Sequence, residues 1–498
     1  MPRNADTLDD RTPLTASRID IAARIGWLLR TSRSVAGLSL REMSTGLKAH
    51  DVALSTTSLS RIESEGHRSP GALDGYTRVL GLPDGTLRSS VDLLCRSFSY
   101  APAAPPEPAM DSLERFSESY EAVTDRVPTG GDWLRFARQH TSCGAFGLPR
   151  TLMEPMVARM AGELGRSIGT AERTRYEALA LLRCSAYADL VDSVLREMIL
   201  DPDVQLMYYL TSVLSENPTP ALLQWAGEML GHESILVAQG SSYALQSMLV
   251  VGGLRADDWD ALVPHFTRAW GEGDATRRAM LTQLCSALPP AVQSQIRDTC
   301  PVEAELPRGP RVFSRSRRNA HYGFARSIAA AACAQLGHPE EPLLERLLFE
   351  ALFDPRGVRM VTSTFLIASS PFAAAVVPLL VERREHGPDA ASREAALRLA
   401  AALHGGEALP VVDPLLESTD ATEFEHAAVM VGHSGRHLPQ AILERGLSGD
   451  RTTVRRTLYA AGMAEDPRLA AIASDRGRAA STRRAARWWI DSGGRILD

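Results

Sequence analysis

A run of hydroxyl side chains, Ser55-Thr56-Thr57-Ser58, followed by Ser60 and Arg61, stands where a short helix would begin. Such groups donate to and accept from base edges, threonine methyls touch thymine, and a guanidinium reaches phosphate or base. That is the chemistry of reading duplex DNA. Arg68, just past the end of the same helix, suits a phosphate contact. Ser39 can present its hydroxyl, or the amides of the helix it opens, to another phosphate, and Arg41 adds positive charge beside it. Patterns for bond-making chemistry are missing: there is no HExxH, GxSxG or Walker A loop. His433 and His437 share a glycine-containing stretch that offers no third ligand, and none of the six cysteines forms a CxxC pair. The expectation is a protein that is not an enzyme and carries no metal or cofactor, with its cysteines buried as small apolar residues.

Positioning those residues requires a small helical bundle. Ile21, Ile25, Leu28 and Leu29 recur at helical spacing and predict a first helix over 20–33. Ser39 caps a second, with Glu42 completing a capping box and Leu40, Met43 and Leu47 facing inward. Ser55 caps the third, anchored by Leu59 and Ile62, stopped by Gly66 and followed by Pro70. Two more are expected over 72–80 and 84–98. Trp27, on a helix that also carries the inward leucines, reads as a core or interface residue. Glu63 reads as structural, because a carboxylate facing phosphate would be repelled.

Arg24-Ile-Gly-Trp-Leu-Leu-Arg30, Leu38-Ser-Leu-Arg-Glu-Met-Ser44, Ser55-Thr-Thr-Ser-Leu-Ser-Arg-Ile-Glu63, Gly66-x-Arg68-x-Pro70 and Tyr76-x-x-Val-Leu-Gly81 fall in order. Together they resemble the Cro/cI-type helix-turn-helix domain of the Xre family. The resemblance implies that the helix bearing Ser55 to Glu63 is the recognition helix, with base contacts at its start. It implies Ser39, Arg41, Ser55, Thr56, Thr57, Ser58, Ser60, Arg61 and Arg68 as DNA-contacting positions. Two departures stand out. Leu40 occupies the position where the family often has a DNA-contacting Gln, and Lys48-Ala-His-Asp-Val52 lengthens the connection between the second and third helices.

The chain has 498 residues, 44% of them hydrophobic and only 6% aromatic, and a net charge of -6. It is too long for one core and too acidic overall to coat nucleic acid, so DNA binding would come from a local patch. In the amino-terminal block Arg18, Arg24, Arg30, Arg33, Arg41, Lys48, Arg61 and Arg68 outnumber the acids. No apolar run is long enough for a membrane span and the first residues lack a signal-peptide core, so a cytoplasmic protein is expected. The expected organisation is a disordered start (1–17), a five-helix domain (18–98), a Pro/Ala-rich linker (99–111) and a helical array (112–498). Helix starts near Asp354, Ala391, Thr422, Asp450 and Ser481 recur roughly every 30 residues. They resemble HEAT-like repeats, which implies an all-α fold ending in stacked helix pairs. Trp488-Trp489 would cap the last pair. Arg311, Arg315, Arg317 and Arg318 form a second basic stretch, either a solvated loop or a further phosphate-contacting arm.

The function this points to is a transcriptional regulator. It would bind an inverted-repeat DNA site as a homodimer, and its array would supply dimer contacts, a groove for a small-molecule or peptide effector, or both. The competing readings are a DNA-addressed scaffold that recruits another protein and, further off, a HEAT-like DNA-processing enzyme.

Overall fold

Caps set the helices of the amino-terminal block. In the computed structural model, which describes residues 9–16, 18–67, 69–100, 113–124, 127–142, 147–201, 203–206, 208–302 and 315–498 (for 113–115, 142, 250 and 315–317 the backbone alone), α1 spans Ile21–Val35 and the Asp20 carboxylate accepts from the Ala23 amide at 2.9 Å. α2, Leu40–Ala49, opens on the expected capping box of Ser39 and Glu42. α3, Thr56–Glu65, is capped by Ser55. α4 is Pro70–Val79, with the proline in its first turn where no amide is needed, and α5 is Thr86–Ser97. Gly66 ends α3 at φ 62, and a Cβ there would lie 1.7 Å from the Ala22 carbonyl oxygen. Only glycine satisfies both the left-handed turn and this approach to α1. The 48–52 insertion is divided: α2 continues to Ala49, and His50–Ser55 forms a loop whose Leu54 carbonyl accepts from Ser44 Oγ at 2.6 Å.

The rest of the described chain is helical as well, with no strand beyond one isolated bridge, so the protein is all-α. Successive long helices begin at Gly357, Ala390, Ala421, Arg451 and Ala480. Asp389, Asp420 and Asp450 each cap the following helix by accepting backbone amides. At the last pair Trp489 is buried, and a Cβ on Gly462 would fall 1.9 Å from its ring. Cys95, Cys285, Cys300 and Cys333 are buried as expected, whereas Cys184 is exposed and Cys143 lies outside the described residues. Among the described residues no single helix is long and apolar enough to cross a membrane.

Amphipathic spacing accounts for one face of α1, yet α1 is buried on all sides from Arg24 to Ser32. Its second face docks on the carboxyl-terminal helices. Trp27 is fully buried and stacks on Phe372 at 6.1 Å. The residues of the block and those from Phe324 to Trp489 form one continuous hydrophobic core. A second core runs from Val123 to Val302. α5 joins the two, with Leu87, Val91 and Leu94 in the first and Leu93 in the second.

The helices Thr170–Arg183, Tyr208–Leu214, Ile235–Val251, Gly357–Ser369, Ala390–Leu403, Ala421–His433, Arg451–Met463 and Ala480–Ser492 each pack on the next. After Ser492 the chain returns to the start of this succession. The Ile496 amide donates to Arg166 O at 2.8 Å and the Ile168 amide to Ile496 O at 3.0 Å. The inner helices therefore make a closed circuit.

Residues 9–16, expected in a disordered start, are instead built into the structure. Asp10 is buried against Arg24 at 2.8 Å, and the carbonyls of Asp10, Thr12, Leu14 and Ala16 accept from Arg346, Arg356 and Arg359. Polar composition suggested disorder. A cluster of buried arginines supplies donors that make order favourable. Residues 1–8 and 101–112, which include most of the 99–111 linker, lie outside the described residues.

Candidate nucleic-acid interface

α3 has two faces at helical spacing. Leu59, Ile62 and Glu63 point inward and are buried, while Thr56, Thr57, Ser60, Arg61 and Ser64 are exposed on the opposite side. The inner face is locked by charge as well as by packing. Glu63 accepts from Arg33 through both oxygens at 2.6 Å and from the Tyr76 hydroxyl at 2.7 Å. This fixes α3 to α1 and α4 in one orientation. Burial raises the Tyr76 phenol far above its usual range, and the adjacent Glu63 carboxylate adds to it, so the hydroxyl stays a donor. Burial alone would lower the Arg33 guanidinium, and its bonds to Glu63 outweigh that. The structural role expected of Glu63 is thereby given its partners, which the sequence does not name.

The outward hydroxyls are not equivalent. Ser55 Oγ accepts from the Ser58 amide at 3.1 Å and lies 2.9 Å from Ser58 Oγ, so these two side chains satisfy the helix end and each other. Thr56, Thr57 and Ser60 make no side-chain hydrogen bond among the described residues. They are the groups available to an incoming ligand. Arg61 is 66% exposed and bonds Glu65 at 3.3 Å, and Glu65 also bonds His67 at 2.7 Å. Exposed pairs of this kind contribute little, so Arg61 can exchange Glu65 for phosphate.

Other expected positions fare differently. The Ser39 amide donates to Glu42 at 2.8 Å and Ser39 Oγ accepts from the Glu42 amide at 3.2 Å. Those hydrogen bonds hold the Glu42 carboxyl below its usual range. A carboxylate thus already occupies the start of α2, where a phosphate had been expected, and it would repel one. Arg41 and Lys48 are exposed on α2. Arg78, which the sequence reading did not single out, is exposed and donates to the His50 carbonyl at 3.3 Å, beside the loop leading to α3. Arg68 lies outside the described residues.

The count of basic residues in the block overstates its surface charge. Arg24 is buried between Asp10 and Glu350, Arg30 pairs with Glu341 at 2.7 Å, and Arg33 pairs with Glu63. Three of the eight cations counted from the sequence hold the block together or to the array and present no field to a ligand.

The second basic stretch is not joined to α3. Arg311 lies outside the described residues. Arg315, Arg317 and Arg318 fall at the start of the helix Arg315–Gln335, which packs on Pro342–Phe353 and Ala373–Arg383, whereas α3 packs on α1 and α2. Of that stretch only the Arg318 side chain is described, and it is half-buried.

α5 fastens the block to the array. Arg96 donates to Glu177 at 2.6 Å and to Glu216 at 2.8 Å, and Ser90 Oγ lies 2.6 Å from Ser369 Oγ. His338 Nε2 meets Ser34 Oγ at 2.9 Å on the far side of α1. α3 is thus carried by a block whose back is wedged into the rest of the molecule. No family model matches this chain, and a search of curated proteins found no similar sequence.

Proposed function

We propose that the protein is a sequence-specific DNA-binding transcriptional regulator of the Xre helix-turn-helix type, with α3 as its recognition helix. One observation carries the reading. Thr56, Thr57, Ser60 and Arg61 lie together on the exposed face of a helix whose other face is locked by Glu63, Arg33 and Tyr76. A fixed helix with unsatisfied hydroxyls and one exposed guanidinium suits base-edge recognition, where each good contact is worth about 1–3 kcal/mol. Few such contacts fit on one short helix, so two copies on an inverted repeat would supply the remaining affinity. The HEAT-like array would hold the two heads apart and sense an effector.

A second reading is a docking block that recruits protein and never meets DNA. It is favoured by the three arginines sequestered in ion pairs and by Glu42 at the start of α2. Capture of genomic fragments by the full chain at moderate salt separates the two. Enrichment of a shared inverted repeat, lost in Thr57→Ala/Arg61→Ala at unchanged melting temperature, is the expected outcome. Equal affinity for genomic and random duplex refutes regulation through α3.

A further inference from the structure

The inner helices of the closed circuit carry half-exposed and charged side chains that differ from those of an ordinary packed helix face. One wall is tyrosine. Tyr208 lies edge-on to Tyr209 at 5.5 Å and to Tyr243 at 6.0 Å. Tyr208 and Tyr243 are 52% and 49% exposed, although they sit on inner helices. A second wall is cationic, with Arg398, His426 and Arg456 on three consecutive inner helices and Arg455 beside them. The two sets of side chains lie within reach of each other's charge: Tyr208 is in the field of Arg398, and Arg455 in the fields of Glu425 and Tyr243. Glu172, in the field of Tyr209, and Tyr459, which bonds His433 at 2.8 Å, close one side.

The cationic wall has one carboxylate in its field, Glu425, which accepts from Thr453 Oγ1 at 3.0 Å and acts on Arg455 without pairing with it. Arg455 and Arg456 are half-buried and make no ion pair or hydrogen bond among the described residues, and Arg398 donates only to the Leu352 carbonyl at 3.2 Å. Several buried or partly buried arginines elsewhere hold carboxylates, among them Arg24, Arg30, Arg33, Arg96, Arg175 and Arg346, whereas Arg166 and Arg383 hold backbone carbonyls. Three guanidiniums with one carboxylate among them leave an excess of positive charge that a further anion would relieve. Burial, then Arg456 and Arg398, pushes His426 down to about 4, so it is neutral at pH 7 and can donate or accept one hydrogen bond. Guanidinium groups match carboxylate or phosphate oxygens in a planar fork. Tyrosine faces offer an apolar platform with a polar rim.

We infer that this interior is a binding chamber for one small organic anion with a planar aromatic body, its acidic group held by Arg398, Arg455 and Arg456 and its ring laid against Tyr208 and Tyr243. The acidic group is a carboxylate or a phosphate ester, which share this chemistry. The inference deepens the proposed regulator by naming its effector class, and rests on that reading only in taking DNA binding as the output. The helix of Tyr208 leads to Glu216, which Arg96 of α5 grips at 2.8 Å, so the chamber and the reading block share a fastening.

Calorimetry on the full chain without DNA tests the chamber independently of the DNA reading. The probes are 2-naphthoate, 2-naphthyl phosphate, the neutral 2-naphthamide and inorganic phosphate. One of the two naphthyl anions should bind one per chain, about tenfold or more tighter than naphthamide and than phosphate, and the better of the two distinguishes carboxylate from phosphate ester. Arg398→Gln/Arg456→Gln should erase the gap over naphthamide. Tyr243→Ala, half-exposed and safe for folding, should weaken binding about tenfold. The chamber is refuted if neither naphthyl anion binds at about 1 mM. Equal binding of anion and amide, or full binding by a folded Tyr243→Ala or arginine double variant, refutes it as well.

Discussion

Replacing Glu350 by glutamine tests how the amino-terminal block is held. Glu350 is fully buried and accepts from Arg24 at 2.8 and 2.9 Å, Arg346 at 3.1 Å, Arg359 at 3.4 Å and Ser363 Oγ at 2.8 Å. With Asp10 it forms a cluster of two carboxylates and three guanidiniums, the excess positive charge being met by the carbonyls of Asp10, Thr12, Leu14, Ala16 and Arg18. Burial by itself would raise both carboxyl groups. Arg24 is the foremost of the groups that outweigh it and hold both below their usual range, so both are ionised. Glu350→Gln keeps the shape but leaves three buried cations with one anion. Breaking a buried pair from one side costs about 3–5 kcal/mol. Arg24→Met removes instead the cation in excess, leaving two charges of each sign with Arg346 still 3.5 Å from Asp10. It should cost less, about 1–3 kcal/mol, as lost hydrogen bonds to charged groups. Amide hydrogen exchange resolves the two. In Glu350→Gln, protection in α1 and in Gly357–Ser369 should fall by about two to three and a half orders of magnitude, with Ala480–Ser492 little changed. In Arg24→Met it should fall less, and the double variant should lose less than the sum of the singles by at least about 0.5 kcal/mol. If Glu350→Gln changes protection less than about threefold, or Arg24→Met proves the worse, charge balance is not what docks the block.

Gly66→Ala would place a methyl against the Ala22 carbonyl in a left-handed turn, so it should lower stability by more than about 1 kcal/mol and tilt α3; unchanged melting and DNA affinity would contradict the close approach. Leu59→Asp buries a carboxylate without a partner and should unfold the block, seen as loss of exchange protection in α1 to α4; a fully protected variant would show that Leu59 is not core. Arg96→Met leaves Glu177 and Glu216 together without their shared cation, and urea midpoints should fall by the equivalent of about 3–5 kcal/mol; a change below about 1 kcal/mol would show that the bridge contributes little. Burial pushes Glu172 up to about 7, opposed by Arg173 and Tyr209. Because the folded value is raised, its stabilising contribution is complete below the unfolded pKa of 4.5 and is lost as pH rises through about 7. Glu172→Gln should therefore flatten the decline in melting temperature between pH 5 and 8, and an unaltered slope would place the titration elsewhere.

Local rules made much of the block legible. Ser39 with Glu42, Ser55 and Gly66 announced helix ends because capping acts within four residues, and Leu59 and Ile62 announced a buried face because helical spacing is local. The same rules placed Asp450 and the helix it opens. Which hydroxyls stay open was not legible: Thr56, Thr57 and Ser60 differ from Ser55 and Ser58 only by their place in the helix, and the cap geometry decides it.

Sequence alone, then, determined an all-helical chain, the boundaries of α1 to α4 within a few residues, and the exposed edge of α3. Tertiary structure alone decided that α1 and α5 are buried on both faces, that Asp10 and the residues after it are ordered, and that Arg24, Arg30 and Arg33 serve packing instead of charging the surface. It also decided the closed circuit through Ile496 and Ser167 and the tyrosine and arginine walls inside it. The reason is distance along the chain. A cap or a periodic face is written within one or two turns, whereas Arg24 finds Glu350 and Ser167 finds Ile496 across more than three hundred residues, and no short-range pattern encodes which partner a buried charge will meet.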